Sequence, residues 1–153
     1  DPSSLKAAEM YQVFNRELTG SIMPHVEASY RTINEPEKRA IAGFSRGGGQ
    51  SLFAGFSNPD KFGSIGSYSA YLTPEVFDKY FGKLAEKPEE ANERLKLLWL
   101  GVGTEDFLYK SAVTFEGMLK EKQIRHESLV TDGGHTWMNA RRYLAETLQL
   151  FFK

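Results

Sequence analysis

The chain has 153 residues, with 19 Lys and Arg against 20 Asp and Glu, so its formal net charge is −1 and provides no strong field for nucleic acid or an anionic membrane. Its composition, 41% apolar and 13% aromatic, is typical of one folded domain over residues 1–153, and no apolar run approaches the roughly 20 residues of a membrane span. Cysteine is absent, which excludes a thiol nucleophile and a cysteine-based metal site.

Helical and strand-like segments alternate along the chain, which predicts an α/β domain with a mostly parallel sheet and helices on both faces. In chain order we expect helices over Leu5–Leu18 and Ser21–Tyr30, a strand over Arg39–Phe44, a helix over Gly47–Ser57, a strand over Phe62–Tyr68, helices within Thr73–Arg94, a strand over Leu95–Val102, a helix from about Lys110 to Lys122, a strand over Arg125–Val130 and a last helix. The strand that ends at Phe44 is expected to be buried on both faces. The last helix is expected to bury Leu144, Leu148, Phe151 and Phe152, which recur at i, i+4, i+7 and i+8.

The segment Gly43-Phe44-Ser45-Arg46-Gly47 fits the pattern G-x-S-x-G between a predicted strand and a predicted helix. A strand that turns sharply into a helix strains the residue at the apex and exposes its side chain at the carboxyl edge of the sheet. Ser45 is therefore a candidate nucleophile, and the backbone N–H of Arg46 is a candidate oxyanion donor. The alternatives are a helix cap at Ser45 or a phosphate cradle. Because the chain has neither a Walker motif nor a dinucleotide fingerprint, no cofactor is expected.

A serine nucleophile needs a neighbouring base, and the chain offers three histidines. His25 lies in a predicted helix and His126 in a predicted strand, where a surface or packing role is expected. His135 lies in the glycine-rich loop between the last strand and the last helix. It is the candidate base because that loop can reach the carboxyl edge of the sheet, although an ordinary loop histidine would fit the same position.

The base in turn needs a carboxylate that orients it. Asp106 follows the strand Leu95–Val102 by a short turn, which places it at the carboxyl edge of the sheet. Glu105 and Asp132 are its competitors. Neighbouring residues on a turn point in different directions, so only one of Glu105 and Asp106 can face His135, and Asp132 would have to reach back across its own loop. We favour Asp106.

Ser45, Asp106 and His135 each follow a predicted strand, in the chain order of an α/β-hydrolase triad. The wider resemblance is carried by Tyr30-Arg31, Arg39 to Gly49, Phe62 to Ser69, Gly103 to Asp106 and Gly133 to Trp137. On these segments the chain, from roughly Tyr11 onward, resembles the C-terminal half of the family-one carbohydrate esterases, which include feruloyl and acetylxylan esterases.

The resemblance implies that Ser45 is the nucleophile, that His135 acts as general base and then general acid, and that Asp106 orients it. Arg46 stands where many relatives carry Met or another residue, and its implied contribution is a backbone N–H rather than its charge. The positions that border the acyl and alcohol pockets correspond to Ser69, Ala70 and Trp137. A strand end and a buried aromatic residue are equally good explanations of those three positions.

The resemblance also implies a substrate and a location. Hydroxycinnamoyl esters on arabinoxylan are the first expectation, acetyl esters on xylan the second, and siderophore or S-formylglutathione esters follow. A secreted or periplasmic location would suit a cell-wall polysaccharide. The alternative in a different class is a non-catalytic carbohydrate-binding module that retains a hydrolase scaffold.

Family members have several strands before the helix with which this chain begins, and one of their early loops supplies a second oxyanion N–H. We therefore expect the chain to form the C-terminal portion of a longer catalytic domain. Three arrangements fit this expectation: a fragment of a longer protein, a domain whose other half is a separate chain, and a short homologue completed by a partner.

Overall fold

The computed structural model describes residues 4–153, in which helices alternate with four strands. The elements, in chain order, are α1 Leu5–Glu17, α2 Met23–Ser29, β1 Ala40–Phe44, α3 Arg46–Ser57, β2 Ser64–Tyr68, α4 Pro74–Glu86, α5 Pro88–Arg94, β3 Leu97–Gly103, α6 Tyr109–Glu121, β4 Glu127–Thr131 and α7 Trp137–Leu148. A π-helical segment, Leu18–Ile22, joins α1 to α2, and a 3₁₀ turn, Pro36–Lys38, precedes β1. The predicted α/β architecture is confirmed.

The four strands form one parallel sheet in the order β1-β2-β3-β4. Phe44 pairs with Tyr68, and Tyr68 pairs with Gly101 of β3, so the carboxyl ends of neighbouring strands meet at one edge. The segments that follow the strands therefore emerge side by side, although they lie far apart in sequence.

Strand β1 differs from the expectation that both of its faces are buried. It lies at one edge of the sheet formed by residues 4–153, and its central residue Ala42 is exposed, whereas β2 is buried along its whole length. Short apolar runs occur in both edge and central strands, so the run Arg39–Phe44 identified a strand without fixing its place in the sheet.

Helices cover both faces of the sheet. On one face, Ile65, Leu98 and Leu100 pack with apolar side chains from α1, α3, α4 and α6 in the main core. On the other face, Tyr68 and Trp99 pack against Tyr143 of α7 in a smaller cluster. None of the helices within residues 4–153 combines the length and the apolar character needed to cross a membrane.

The prediction that the last helix buries Leu144, Leu148, Phe151 and Phe152 is wrong for all of them except Phe151, which is buried. Leu144, Leu148 and Phe152 are between 43% and 58% exposed. The buried face of α7 carries Ala140, Tyr143 and Thr147 instead.

Two hydroxyl pairs explain why this more polar face is the buried one. The Tyr143 hydroxyl bonds to Thr131 Oγ1 at 2.7 Å, and the Tyr68 hydroxyl bonds to Thr147 Oγ1. Burial raises the pKa of both tyrosines, so their hydroxyls stay neutral and supply hydrogen bonds. The spacing of apolar residues along the sequence could not predict these hydroxyl pairs, because it takes only apolar side chains into account.

The turn between β1 and α3 requires glycine at one position of the motif. Ser45 at its apex has a φ of 57° and a ψ of −121°, a left-handed conformation that is strained for a residue with a side chain. A Cβ atom on Gly43 would lie 2.3 Å from the backbone carbon and oxygen of Gly47, whereas a Cβ on Gly47 would meet nothing within 4 Å. The turn therefore closes only because residue 43 lacks a side chain.

We predict that Gly43→Ala destabilises the protein strongly while Gly47→Ala does not. The methyl group at residue 43 would displace backbone atoms, at a cost of roughly 1–3 kcal/mol or more. At residue 47, inside α3, alanine is expected to change the free energy of unfolding by about 0 to 1 kcal/mol in the stabilising direction. Urea unfolding of the two variants checks this. Equal stabilities would contradict the close approach at Gly43.

Candidate active site

Ser45 lies at the carboxyl edge of the sheet, between β1 and the first turn of α3. Its backbone N–H donates to the Tyr68 carbonyl at 2.8 Å, and its carbonyl accepts from Gly49 N–H at 3.1 Å. The first hydrogen bond attaches the backbone of Ser45 to strand β2, and the second attaches it to helix α3. Arg46 is the first residue of α3, so its N–H belongs to the helix end that has no intrahelical acceptors. This N–H and the helix dipole provide a site for negative charge beside the serine.

Asp106 and His135 are in direct contact. Nδ1 of His135 lies 2.9 Å from Oδ2 and 3.1 Å from Oδ1 of the Asp106 carboxylate, whose side chain is fully buried. Oδ1 also accepts the Leu108 N–H at 2.8 Å. With Nδ1–H donating to the carboxylate, the neutral imidazole keeps Nε2 as its proton acceptor.

The two competing carboxylates lie elsewhere. Glu105 is exposed, and the side chain of Asp132 points into solvent, where it lies 3.6 Å from Arg142. Neither is hydrogen-bonded to His135 in the part of the chain that the structure describes. The preference for Asp106 therefore agrees with the observed geometry, and its catalytic role stays a prediction.

Main-chain hydrogen bonds join the turn that carries Asp106 to the loop that carries His135. Thr104 N–H donates to the Thr131 carbonyl at 2.8 Å, and Glu105 N–H donates to the Gly133 carbonyl at 3.0 Å. A Cβ on Gly103 would lie 2.0 Å from the Gly133 oxygen, and Gly133 itself has a φ of 81°. The absence of a side chain at Gly103 is therefore what lets the two segments come this close.

Asn139, which sequence reasoning missed, braces the His135 loop. It is buried in the first turn of α7, and its Nδ2 donates to the carbonyls of Asp132 and Gly134, each at 3.1 Å. Its backbone N–H donates to Thr136 Oγ1, which caps the helix. The available signal was the spacing Thr136-x-x-Asn139 at a helix start, which places a polar side chain over the preceding loop.

Aromatic rings surround the imidazole. The ring centroids of Phe44 and Phe107 lie 4.6 Å and 4.7 Å from that of His135, and Trp137 lies 5.1 Å from Phe44. Phe107 and Trp137 are 75% and 74% exposed. Sequence reasoning missed Phe107, and its position directly after Asp106 was the only signal for it.

The remaining predicted residues have varied positions. Ser69 is fully buried with a φ of 49°, and its hydroxyl has no hydrogen-bond partner within residues 4–153. Ala70 is also buried, whereas Trp137 is accessible and contacts Phe44. The contacts of these three residues with a substrate stay predictions.

His25 is on the surface of α2, and the side chain of His126 is buried, with Nδ1 2.8 Å from the Ile124 carbonyl oxygen.

Phe44 connects Ser45, the predicted nucleophile, with His135, the predicted base. No hydrogen bond joins Ser45 Oγ to His135 Nε2 among the described residues, although the ring of Phe44, the residue before Ser45, contacts the imidazole. Catalytic hydrogen bonds are often long without substrate and shorten in the complex. The same described residues contain no cluster of three or more His, Asp or Glu side chains that could hold a metal ion.

The parallel sheet, the strained serine at the end of a strand and the helices on both faces define an α/β-hydrolase-type domain. Residues 3–150 match the model of the Esterase family, and the chain belongs to that family. The chain is 29% identical over 117 residues to YbbA, an uncharacterized protein of Bacillus subtilis (strain 168), and the match covers 76% of this chain and 44% of YbbA.

Two solved structures are similar to this one. A ferulic acid esterase is 25% identical, with a TM-score of 0.76 over 91% of this chain and 60% of its own. The carbohydrate-esterase-family-one ferulic acid esterase AmCE1/Fae1A from Anaeromyces mucronatus, solved in complex with ferulic acid, is 20% identical, with a TM-score of 0.79 over 97% of this chain and 57% of its own. The predicted resemblance to feruloyl esterases is thus confirmed, and the chain spans less than two thirds of each of these relatives.

Proposed function

We propose that the protein is a serine esterase in which Ser45, His135 and Asp106 form the catalytic triad. The observation that carries this proposal is the contact of the Asp106 carboxylate with His135 Nδ1, at 2.9 Å, beside a strained serine at the start of a helix. A structural aspartate–histidine pair would not need a strained serine next to it. Membership of the Esterase family supports the same reaction.

In the proposed reaction, Ser45 Oγ attacks the carbonyl carbon of the ester and His135 Nε2 takes the hydroxyl proton. Asp106 holds Nδ1–H and stabilises the imidazolium, while the N–H of Arg46 donates to the oxyanion. The tetrahedral intermediate breaks its bond to the alcohol oxygen, which leaves with the proton from Nε2. Water then gives its proton to His135, attacks the acyl-enzyme and releases the acid, and Ser45 recovers its proton.

The proposed substrate is a feruloyl ester on xylan, outside the cell in a secreted or periplasmic location. Two similar structures are ferulic acid esterases by name, one of them in complex with ferulic acid. In this chain the exposed ring of Phe107 contacts His135 and the exposed ring of Trp137 contacts Phe44, and both offer flat apolar surfaces to an aromatic acyl group. An acetyl ester would leave those surfaces uncovered.

The proposed partner is the N-terminal half of the same domain, which would pair with β1 and supply the second oxyanion donor. The outer side of β1 bears no strand within residues 4–153, and unpaired edges are sites where strands add. Beside its first residue, Ala40, lies an apolar groove lined by Ile22, Val26 and Ile33, whose side chains are exposed. The relatives are long enough to contain further strands, because the chain covers 57–60% of the two solved structures.

We predict that a fluorophosphonate probe labels Ser45 and no other residue. The serine oxygen forms a bond to phosphorus, fluoride leaves, and His135 takes the proton, so labelling requires an activated serine but no matching substrate. Mass spectrometry of the labelled peptide should locate the adduct, and Ser45→Ala should remove it. Ser57→Ala, at the exposed end of α3, is the matched control and should label normally. Labelling that persists in Ser45→Ala would refute the assigned nucleophile.

We also predict that methyl ferulate is hydrolysed faster than acetylated xylan or p-nitrophenyl acetate. The assay compares residues 1–153 with the same chain joined to an N-terminal half. The isolated chain should turn over slower by on the order of 100-fold or more, since each oxyanion donor is typically worth that much. Faster hydrolysis of acetylated xylan than of methyl ferulate would contradict the proposal that the substrate is a feruloyl ester. Full turnover by residues 1–153 alone would refute the proposed partner.

A further inference from the structure

The imidazole of His135 contacts two phenyl rings that come from different elements. Phe44 ends β1, and Phe107 follows Asp106 on the turn after β3. The planes of the two rings are tilted by 33° and 44° from the imidazole plane, at centroid distances of 4.6 Å and 4.7 Å. Both are tilted contacts, and both ring centroids lie within the roughly 6 Å over which an aromatic ring attracts a cation. We call Phe44 and Phe107 the phenyl pair.

The turn that aims Asp106 also places Phe107. Asp106 Oδ1 accepts the Leu108 N–H at 2.8 Å, and the Asp106 carbonyl accepts the Tyr109 N–H at 2.9 Å, so residue 107 is held in the middle of a tight turn. The carboxylate points inward, whereas the phenyl ring remains on the surface and is 75% exposed. The ring of Phe107 belongs to neither core cluster, so the fold does not depend on it.

The hydrogen bond to Asp106 does not by itself fix the orientation of the imidazole plane. Within the described residues Asp106 is the hydrogen-bond partner of His135, and it binds Nδ1, so small rotations about the side-chain torsions of His135 still change the direction of Nε2. Rings packed against the imidazole remove this freedom. In addition, the face of an aromatic ring within about 6 Å attracts a cation, so the rings favour the imidazolium that forms when the base takes a proton.

We propose that Phe107 is a positioning residue for His135, which together with Phe44 fixes the plane of the imidazole and stabilises its protonated form during the reaction. This proposal rests on the proposed function, because it assigns His135 as the base. It does not depend on the identity of the substrate, since the contact with the imidazole is present whichever acyl group lies against the exposed side of Phe107.

The first test is the rate of fluorophosphonate labelling in Phe107→Leu and Phe107→Tyr. Leucine keeps apolar bulk without a π face, and we expect it to slow labelling roughly two- to fivefold, the effect of losing one exposed cation–π contact. Tyrosine restores the ring and is expected to label at the wild-type rate. Tyr30→Leu, which removes a similarly exposed ring after α2, is the control and should leave the rate unchanged.

The second test is the proton NMR spectrum of the imidazole C–H groups, which needs no reaction. Ring currents from stacked phenyl rings shift these His135 signals upfield, so Phe107→Leu should move them downfield and Phe107→Tyr should not. The signals of His25 and His126 should stay unchanged, since neither imidazole is in a ring contact in the described residues.

The outcomes separate the two proposals. A wild-type labelling rate in Phe107→Leu, or His135 signals that do not move, would overturn the role of Phe107 while the triad stands. If the wild-type protein takes no label, the proposed function fails, and the role of Phe107 in the reaction fails with it. Slow labelling in both variants would also overturn the proposal, because a ring face would then not be what matters.

Discussion

The close approach of two loops at the carboxyl edge of the sheet is the constraint on which the site depends. A side chain at Gly103 would lie 2.0 Å from the carbonyl oxygen of Gly133, so this approach is possible only because residue 103 has none. Two main-chain hydrogen bonds then join the turn that carries Asp106 to the loop that carries His135. The 2.9 Å contact of Asp106 with His135 follows from that junction, since both residues lie within three positions of it.

A second close approach of two backbone segments places Ser45, the proposed nucleophile. Gly43 meets the backbone of Gly47, which lets the chain turn from β1 into α3 with Ser45 at a φ of 57°. Strain of this kind costs of order 1–3 kcal/mol and persists only where the surrounding structure imposes it. Here the backbone hydrogen bonds to Tyr68 and Gly49 impose it, so the sheet and α3 together hold Ser45 in this conformation.

The element order, the parallel sheet and the positions of Ser45, Asp106 and His135 could be predicted from the sequence. The spacing of apolar residues differs between strands and helices, which allows the elements to be distinguished. Each of the three residues follows a predicted strand within a few positions. The buried face of α7 could not, because Tyr143 and Thr147 are buried by paired hydroxyls while Leu148 is exposed, and hydrophobicity ranks them in the opposite order. The edge position of β1 depends on which segments lie beside it, which a short apolar run does not encode.

Phe107 and Asn139 escaped prediction for a different reason. Each acts on a residue remote in sequence or on a backbone carbonyl, and neither belongs to a motif with a fixed spacing. Their contacts become visible only when the turn of Asp106, the loop of His135 and the start of α7 are brought together. The sequence therefore predicted the positions of Ser45, Asp106 and His135 better than the residues that pack against them.

The most direct measurement of the central claim is the proton NMR signal of the His135 Nδ1–H. If this proton is donated to Asp106, it should resonate far downfield, disappear or move upfield in Asp106→Asn, and remain in Glu105→Gln, where the neighbouring carboxylate is removed. A downfield signal that survives Asp106→Asn, or one that is lost in Glu105→Gln, would contradict the assignment of Asp106 as the partner of the base.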